Sequence, residues 1–416
     1  MDAESVPQQA QEKIEQVESA DLVVGILADF DPDGVAGVCE ALGTLAESHR
    51  IVVLLNDRVG HPLQASPQMV EKNGSLSLLR WAELGPDVPG SGIDAISSAY
   101  QSVFAAGEKL GARACCVIDS KLDAAPPQWV LELARPLLEA DFDLVAANYA
   151  RRKFEGLLNS SILCPLLRSL YGKRVQNPIG PDLGVSRRLF QKMSAANGNV
   201  RAGIRMHPLA SLAPMAFCAN LQVCQVHVGA RIYPPTDWTN ISSLMAQVLE
   251  PIFLDMERNA ACWQRVRGSA PVPGFGPPVA VPQESATVDT GRMVNSFQLG
   301  VRDLQEIWGL VLPPATLLEL RRLSRLAAEQ FRMPDELWAR IVYDFALAYH
   351  LRTINRDHLL RSMTPLYLGW VASYARELQA AGSVAVDQRL ESLSLAYEGA
   401  KPYLVSRWRW PDRFNP

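Results

Sequence analysis

Short apolar runs alternate with longer amphipathic stretches along the first 150 residues. "DLVVGILA" (21–28), "RIVVLLN" (50–56), "ARACCVID" (112–119) and "FDLVAANY" (142–149) are rich in β-branched residues and nearly without polar interruption. Between them lie segments with helical spacing of apolar positions, roughly 34–49, 93–110 and 127–140. Near-continuous apolar strands separated by helices predict an α/β sheet, mostly parallel and covered on both faces. In such sheets ligands collect beyond the carboxyl ends of the strands. Asp29 to Asp33, Asp57 and Asp119 to Asp123 all fall at those ends.

The pattern then changes. A basic segment after residue 150 leads into a helix over "NSSILCPLLRSLYG", a Gly/Pro loop "NPIGPDLG", and one more apolar run, "LQVCQVHVGARIY". "GSAPVPGFGPPVAVPQ" (268–283) is too rich in proline and glycine for a helix or central strand, and reads as a strap. Beyond 290 the chain reads as helical, with Pro334-Asp335-Glu336 a good helix start because acids sit at the positive end of the dipole. Trp338, Tyr343, Tyr349 and Trp370 recur at helical spacing and are expected in the core.

Composition narrows the function classes. A net charge of −4 over 416 residues leaves no basic excess to displace counterions from a nucleic acid. No run approaches 18 apolar residues, so no membrane span is expected. The polar, acidic start, residues 1–20, is unlike a secretory signal and reads as a lead-in helix. Seven cysteines, none in Cys-x-x-Cys, fit a reducing setting, and Cys115-Cys116 reads as a pair of small core residues. A cytoplasmic location is the expectation. There is no Walker A loop, no Gly-x-Gly-x-x-Gly after a strand, no zinc-spaced Cys/His cluster and no Gly-x-Ser-x-Gly elbow.

What remains is the corner Asp119-Ser-Lys-Leu122 followed by Pro127 and Trp129, and the tract beyond it. That tract holds Tyr149-Ala-Arg-Arg-Lys153, Asn159-Ser-Ser-Ile162, Leu170-Tyr-Gly-Lys-Arg-Val175 and Pro178-Ile-Gly-Pro-Asp-Leu-Gly-Val-Ser186. Together they resemble the bacterial family-2-like GT-A glycosyltransferases that include mannosylglycerate and glucosylglycerate synthases, over roughly residues 20 to 375. The resemblance implies a GT-A-like domain at 21–267, the strap at 268–290 and a helical C-terminal domain at 291–416. It implies a nucleotide-sugar donor and a small, glycerate-like acceptor. Oligomeric state stays open in the sequence, with the helical tail one surface that could serve as a subunit contact.

The departures from the family pattern sit where the chemistry would be. The first loop, Leu27-Ala-Asp-Phe-Asp31, keeps Asp31 as an acid able to bond a ribose or base, and Asp57 alone survives in the second loop. Gly90-Ser-Gly92 lacks the expected lysine, Gly-Gly-Asp has become Gly180-Pro-Asp182, and Tyr233 stands at an expected histidine. The second carboxylate of Asp-x-Asp is Lys121. Transfer from a nucleotide sugar builds negative charge on the departing diphosphate, which a fixed cation must meet. An ammonium at Lys121 would supply that charge without a metal; otherwise a divalent Mg or Mn ion would be held through Asp119.

The resemblance thus assigns Asp182 and Lys121 to catalysis and Asp31, Asp57 and Asp119 to the donor. Tyr149, Arg151, Lys153 and Asn159 would shape the acceptor pocket. Each also has an ordinary reading: Asp119 as a cap, Lys121 and Arg151 to Lys153 as wet surface, Asp182 as a turn residue. The rival function is a degenerate transferase-like scaffold that binds a ligand or a partner.

Overall fold

The computed structural model describes residues 17–27, 32–56, 75–81, 93–118, 128–198, 207–230, 236–277 and 288–411. Asp31, Asp57, Asp119, Lys121 and Tyr233, and most of the lead-in 1–20, lie outside the described residues. The chain forms two compact units.

The first unit holds the eight-stranded sheet. Its strands are β1 (Leu22–Ile26), β2 (Ile51–Asn56), β3 (Leu76–Trp81), β4 (Ala114–Ile118) and β5 (Leu144–Ala150), with β7 (Leu183–Ser186), β8 (Val223–Ala230) and β10 (Gly274–Phe275). The order is β10-β8-β5-β7-β4-β1-β2-β3. Every pairing is parallel except those of β7, which runs antiparallel between β4 and β5. β1 and β4 are buried throughout, as their unbroken apolar character requires of central strands covered twice.

Helices Pro32–Ala46 and Trp129–Glu139 cover one face, closing a core that includes Val24, Val53, Cys116, Val145 and Val226. Helices Ile93–Lys109, Arg187–Gly198 and Pro208–Cys218 cover the other, where Phe104 stacks on Phe190 with ring centroids 6.2 Å apart. Cys115 and Cys116 are fully buried core residues, and burial raises both thiols well above the ordinary range. At Gly184, in the middle of β7, an added Cβ would stand 2.7 Å from Leu137 Cδ1 and 2.9 Å from the Leu133 carbonyl. Only a glycine lets the helix Trp129–Glu139 close on the sheet there.

The second unit is helical. Residues 151–176 and 233–270, contiguous in sequence with the sheet, cluster here with the tail. The reason is packing: helix Cys164–Tyr171 buries its apolar stripe against the 27-residue helix Ser383–Arg409, which packs on Asp335–Leu351. Trp338, Tyr343, Tyr349 and Trp370 are buried in this core, as their spacing predicts. Arg168, also buried, binds Glu391 through Nη1 (2.5 Å) and Nη2 (2.8 Å) and Glu398 through Nε (2.7 Å). A short ribbon pairs β6 (Lys173–Arg174) with β9 (Ala270–Pro271). No described helix is long and apolar enough to cross a membrane.

Candidate functional site

β7 creates the site. Because it runs against its neighbours, its first residue, Leu183, lies opposite Val117 near the carboxyl end of β4 and opposite Ala146 of β5. The residue just before it, Asp182, is therefore delivered to the sheet edge where parallel neighbours end. The next residues in sequence after β2 and β4 are Asp57 and Asp119.

Asp182 is fully buried, and its Oδ2 accepts a short hydrogen bond from the Tyr149 hydroxyl near the end of β5. Tyr149 is aimed by two features. Its ring packs on Trp129 at 5.6 Å between centroids. The β5–β8 ladder also shifts register between Asn148 and Tyr149, so that Tyr149 faces Gly229 rather than Val228. Gly229 has φ +107°, and a Cβ there would meet Trp129 Nε1 at 3.0 Å. A bulge at a strand end commonly redirects a side chain in this way. The loop before Asp182 is pinned as well: the Tyr100 hydroxyl donates to the Pro181 carbonyl, and Asn177 Nδ2 donates to the Ala147 carbonyl at 3.2 Å. His227 Nδ1 lies 3.4 Å from Asn148 Nδ2.

Beside Asp182 lies a void of about 10 Å³ among Leu144, Ala146, Asn177, Leu183 and Leu212. That is room for roughly one water molecule. Among the described residues no group of three His, Cys, Asp or Glu side chains could hold a metal ion.

Arg151, Lys153 and Asn159 belong to the helical unit. The Lys153 ammonium donates to the carbonyls of Leu378 (2.9 Å), Gln379 (2.7 Å) and Ala381 (3.4 Å), closing the end of helix Thr364–Leu378. An ammonium has three donors, and all three are engaged. Arg151 packs its guanidinium near Gly156, whose φ of +60° turns the chain there. Asn159 opens a π-helical turn, Asn159–Leu163, a form frequent at functional sites. Its Nδ2 donates to the Gln176 carbonyl at 3.0 Å, while its buried Oδ1 has no partner.

Sequence reasoning thus named Tyr149 and Asp182 separately, and the structure joins them. It missed Trp129, Tyr100 and Asn177 as their supports. Trp129 was visible as part of the Pro/Trp helix start, but nothing in the sequence tied it to Tyr149.

No family model matches the chain, and no curated protein matches it. Among solved structures 44 chains match. One is glucosyl-3-phosphoglycerate synthase from Mycobacterium tuberculosis with phosphoglyceric acid, at 18% identity and TM-score 0.36 over 59% of this chain and 83% of that one. Another is the same enzyme with Mn2+, uridine diphosphate and phosphoglyceric acid, at 19% identity and TM-score 0.37 over 59% and 82%. A third is a mycobacterial protein, at 18% identity and TM-score 0.37 over 58% and 77%.

Proposed function

We propose that this protein moves a sugar from a nucleotide-sugar donor to a small hydroxy-acid acceptor of the glycerate type. The observation that carries the reading is the reversed strand β7, which brings Asp182 against Tyr149 near the carboxyl end of β5. In sequence, Asp31, Asp57 and Asp119 come after β1, β2 and β4. In this reading the three acids contact the donor's base and ribose, and Lys121 meets the charge that grows on the leaving diphosphate. Asp182, held by Tyr149, orients the acceptor hydroxyl or takes its proton. A divalent ion bound through Asp119 is the alternative source of positive charge.

The full burial of Asp182 beside a void of one-water size favours the second reading, a transferase-like scaffold that has kept the fold and lost turnover. Calorimetry with UDP- and GDP-sugars, with and without manganese and with a chelator, decides between them, with phosphoglyceric acid and glycerate as acceptors. Metal-independent binding and turnover, both lost in Lys121→Ala, is the expected result. Strict manganese dependence would remove the role given to Lys121, and no binding to any donor would leave the scaffold.

A further inference from the structure

The helical unit carries a cleft of about 280 Å³. Leu310, Leu317, Leu347 and Leu351 line it, so its walls come from the helices Gln305–Val311, Pro314–Ser324 and Asp335–Leu351. Asp344 and Arg407, the charged residues against it, are ion-paired with each other and bring no net charge. Two of the three helices reach the cleft with their last turns, and the last carbonyls of a helix have no partner within it. The cleft therefore suits a group that is mostly ring, with one N–H to donate.

Such a group stands next to it. Pro411 lines the cleft, and Trp410, the residue before it, stands outside and is 59% exposed. Leu310 and Leu351, on the walls, are 62% and 44% exposed. Exposed aromatic and leucine side chains gathered around a hollow mark a protein contact rather than ordinary surface. The rim carries both signs of charge: Glu306 lies one turn before Leu310 and Arg352 directly after Leu351, both exposed. A lipid surface of one sign does not match such a rim.

We propose that two copies of this chain dimerise through this patch, each placing its Trp410 indole in the cleft of the other. A two-fold contact presents the same patch twice, so the patch must carry both a projection and the hollow that receives it. Because Trp410 adjoins its own cleft, a two-fold axis passing between them sets each indole against the opposite hollow. Size permits the fit. An apolar cavity of about 150 Å³ accepts a benzene ring, and 280 Å³ leaves room for the second ring of an indole. The indole N–H would donate to the helix-end carbonyls while the rings lie on the leucine walls. A partner of another kind needs only the hollow and gains nothing from a tryptophan beside it.

The test is sedimentation equilibrium of the full chain over a range of concentrations. A reversible monomer–dimer equilibrium is expected, weakened about thirtyfold or more by Trp410→Ala, the effect of losing a hot-spot tryptophan. Gly309→Trp closes the hollow instead. Gly309 lines the cleft, is exposed, and a Cβ on it meets nothing within 4 Å. That variant should also lose the dimer, with its thermal unfolding midpoint unchanged in dilute solution. Each variant keeps the half that the other lacks, so an equimolar mixture of the two should recover part of the association. A chain that stays monomeric at every concentration overturns the proposal and leaves the cleft to a segment of its own chain or to another partner. So does a dimer that both variants leave intact, or a mixture no more associated than its components. Co-sedimentation with phosphatidylserine vesicles that is lost in Trp410→Ala also overturns it, by assigning the patch to a lipid surface.

Discussion

Tyr149→Phe isolates the contact on which the site is built. The substitution removes one oxygen and keeps the ring against Trp129, so the packing at 5.6 Å survives while the hydrogen bond to Asp182 is lost. Asp182 is fully buried, and the neighbouring void of about 10 Å³ can admit at most a single replacement water. A hydrogen bond to a charged group contributes about 1.5–3 kcal/mol, and its loss inside a protein falls at the upper end when water cannot substitute. The contact joins β5 to the residue that begins β7, so its effect should be read locally. Native-state amide exchange of Gly184 and Val185 in Tyr149→Phe, Asp182→Asn and the double variant forms a complete cycle. A coupling of about 1.5 kcal/mol or more is expected. If the two single effects add to within about 0.5 kcal/mol, the hydroxyl and carboxylate do not support one another, and the constructed edge described above fails with them.

Gly184→Ala should destabilise the sheet unit by about 1–3 kcal/mol in urea unfolding, because the new Cβ meets the Leu133 carbonyl at 2.9 Å and backbone must move. An unchanged midpoint would show that the helix above has room to shift. Arg168→Met leaves the largely enclosed Glu398 without its cation, with only the Ser269 hydroxyl still donating to it, and should cost about 2–4 kcal/mol in the helical unit, and Glu398→Gln on that background should recover part of the loss. Burial pushes the Asp143 carboxyl up, but hydrogen bonds from Arg188, Ser186 and the Gln222 N–H outweigh it and hold the group below the usual range. A depressed carboxylate stabilises the fold above its unfolded-state pKa and loses that contribution as pH falls through the folded value. Asp143→Asn should therefore flatten the acid limb of the stability curve, in a titration of the unfolding midpoint below about pH 4. A limb of unchanged slope would assign the acid sensitivity elsewhere.

Hydrophobic period was enough for the parts whose partners it implies. β1, β2, β4 and β5 and the helices between them are legible because a strand covered on both faces must be apolar at every position. The helix that begins at Asp335 is legible from its acidic first turn. Composition could not reveal β3 or β7. β3 pairs with a single neighbour, at the edge of the sheet, and β7 is four residues following a Gly/Pro loop, with a glycine at its centre. A strand that short is held by the ladders on either side of it rather than by its own propensity. Nor could sequence show that Lys153 would spend its donors on a helix end 225 residues away, or that Asp344 and Arg407 would share a cleft. Residue types suggested which groups could do chemistry. Which of them meet follows from the folded topology, because hydrogen-bond partners far apart in sequence are not set by any local period.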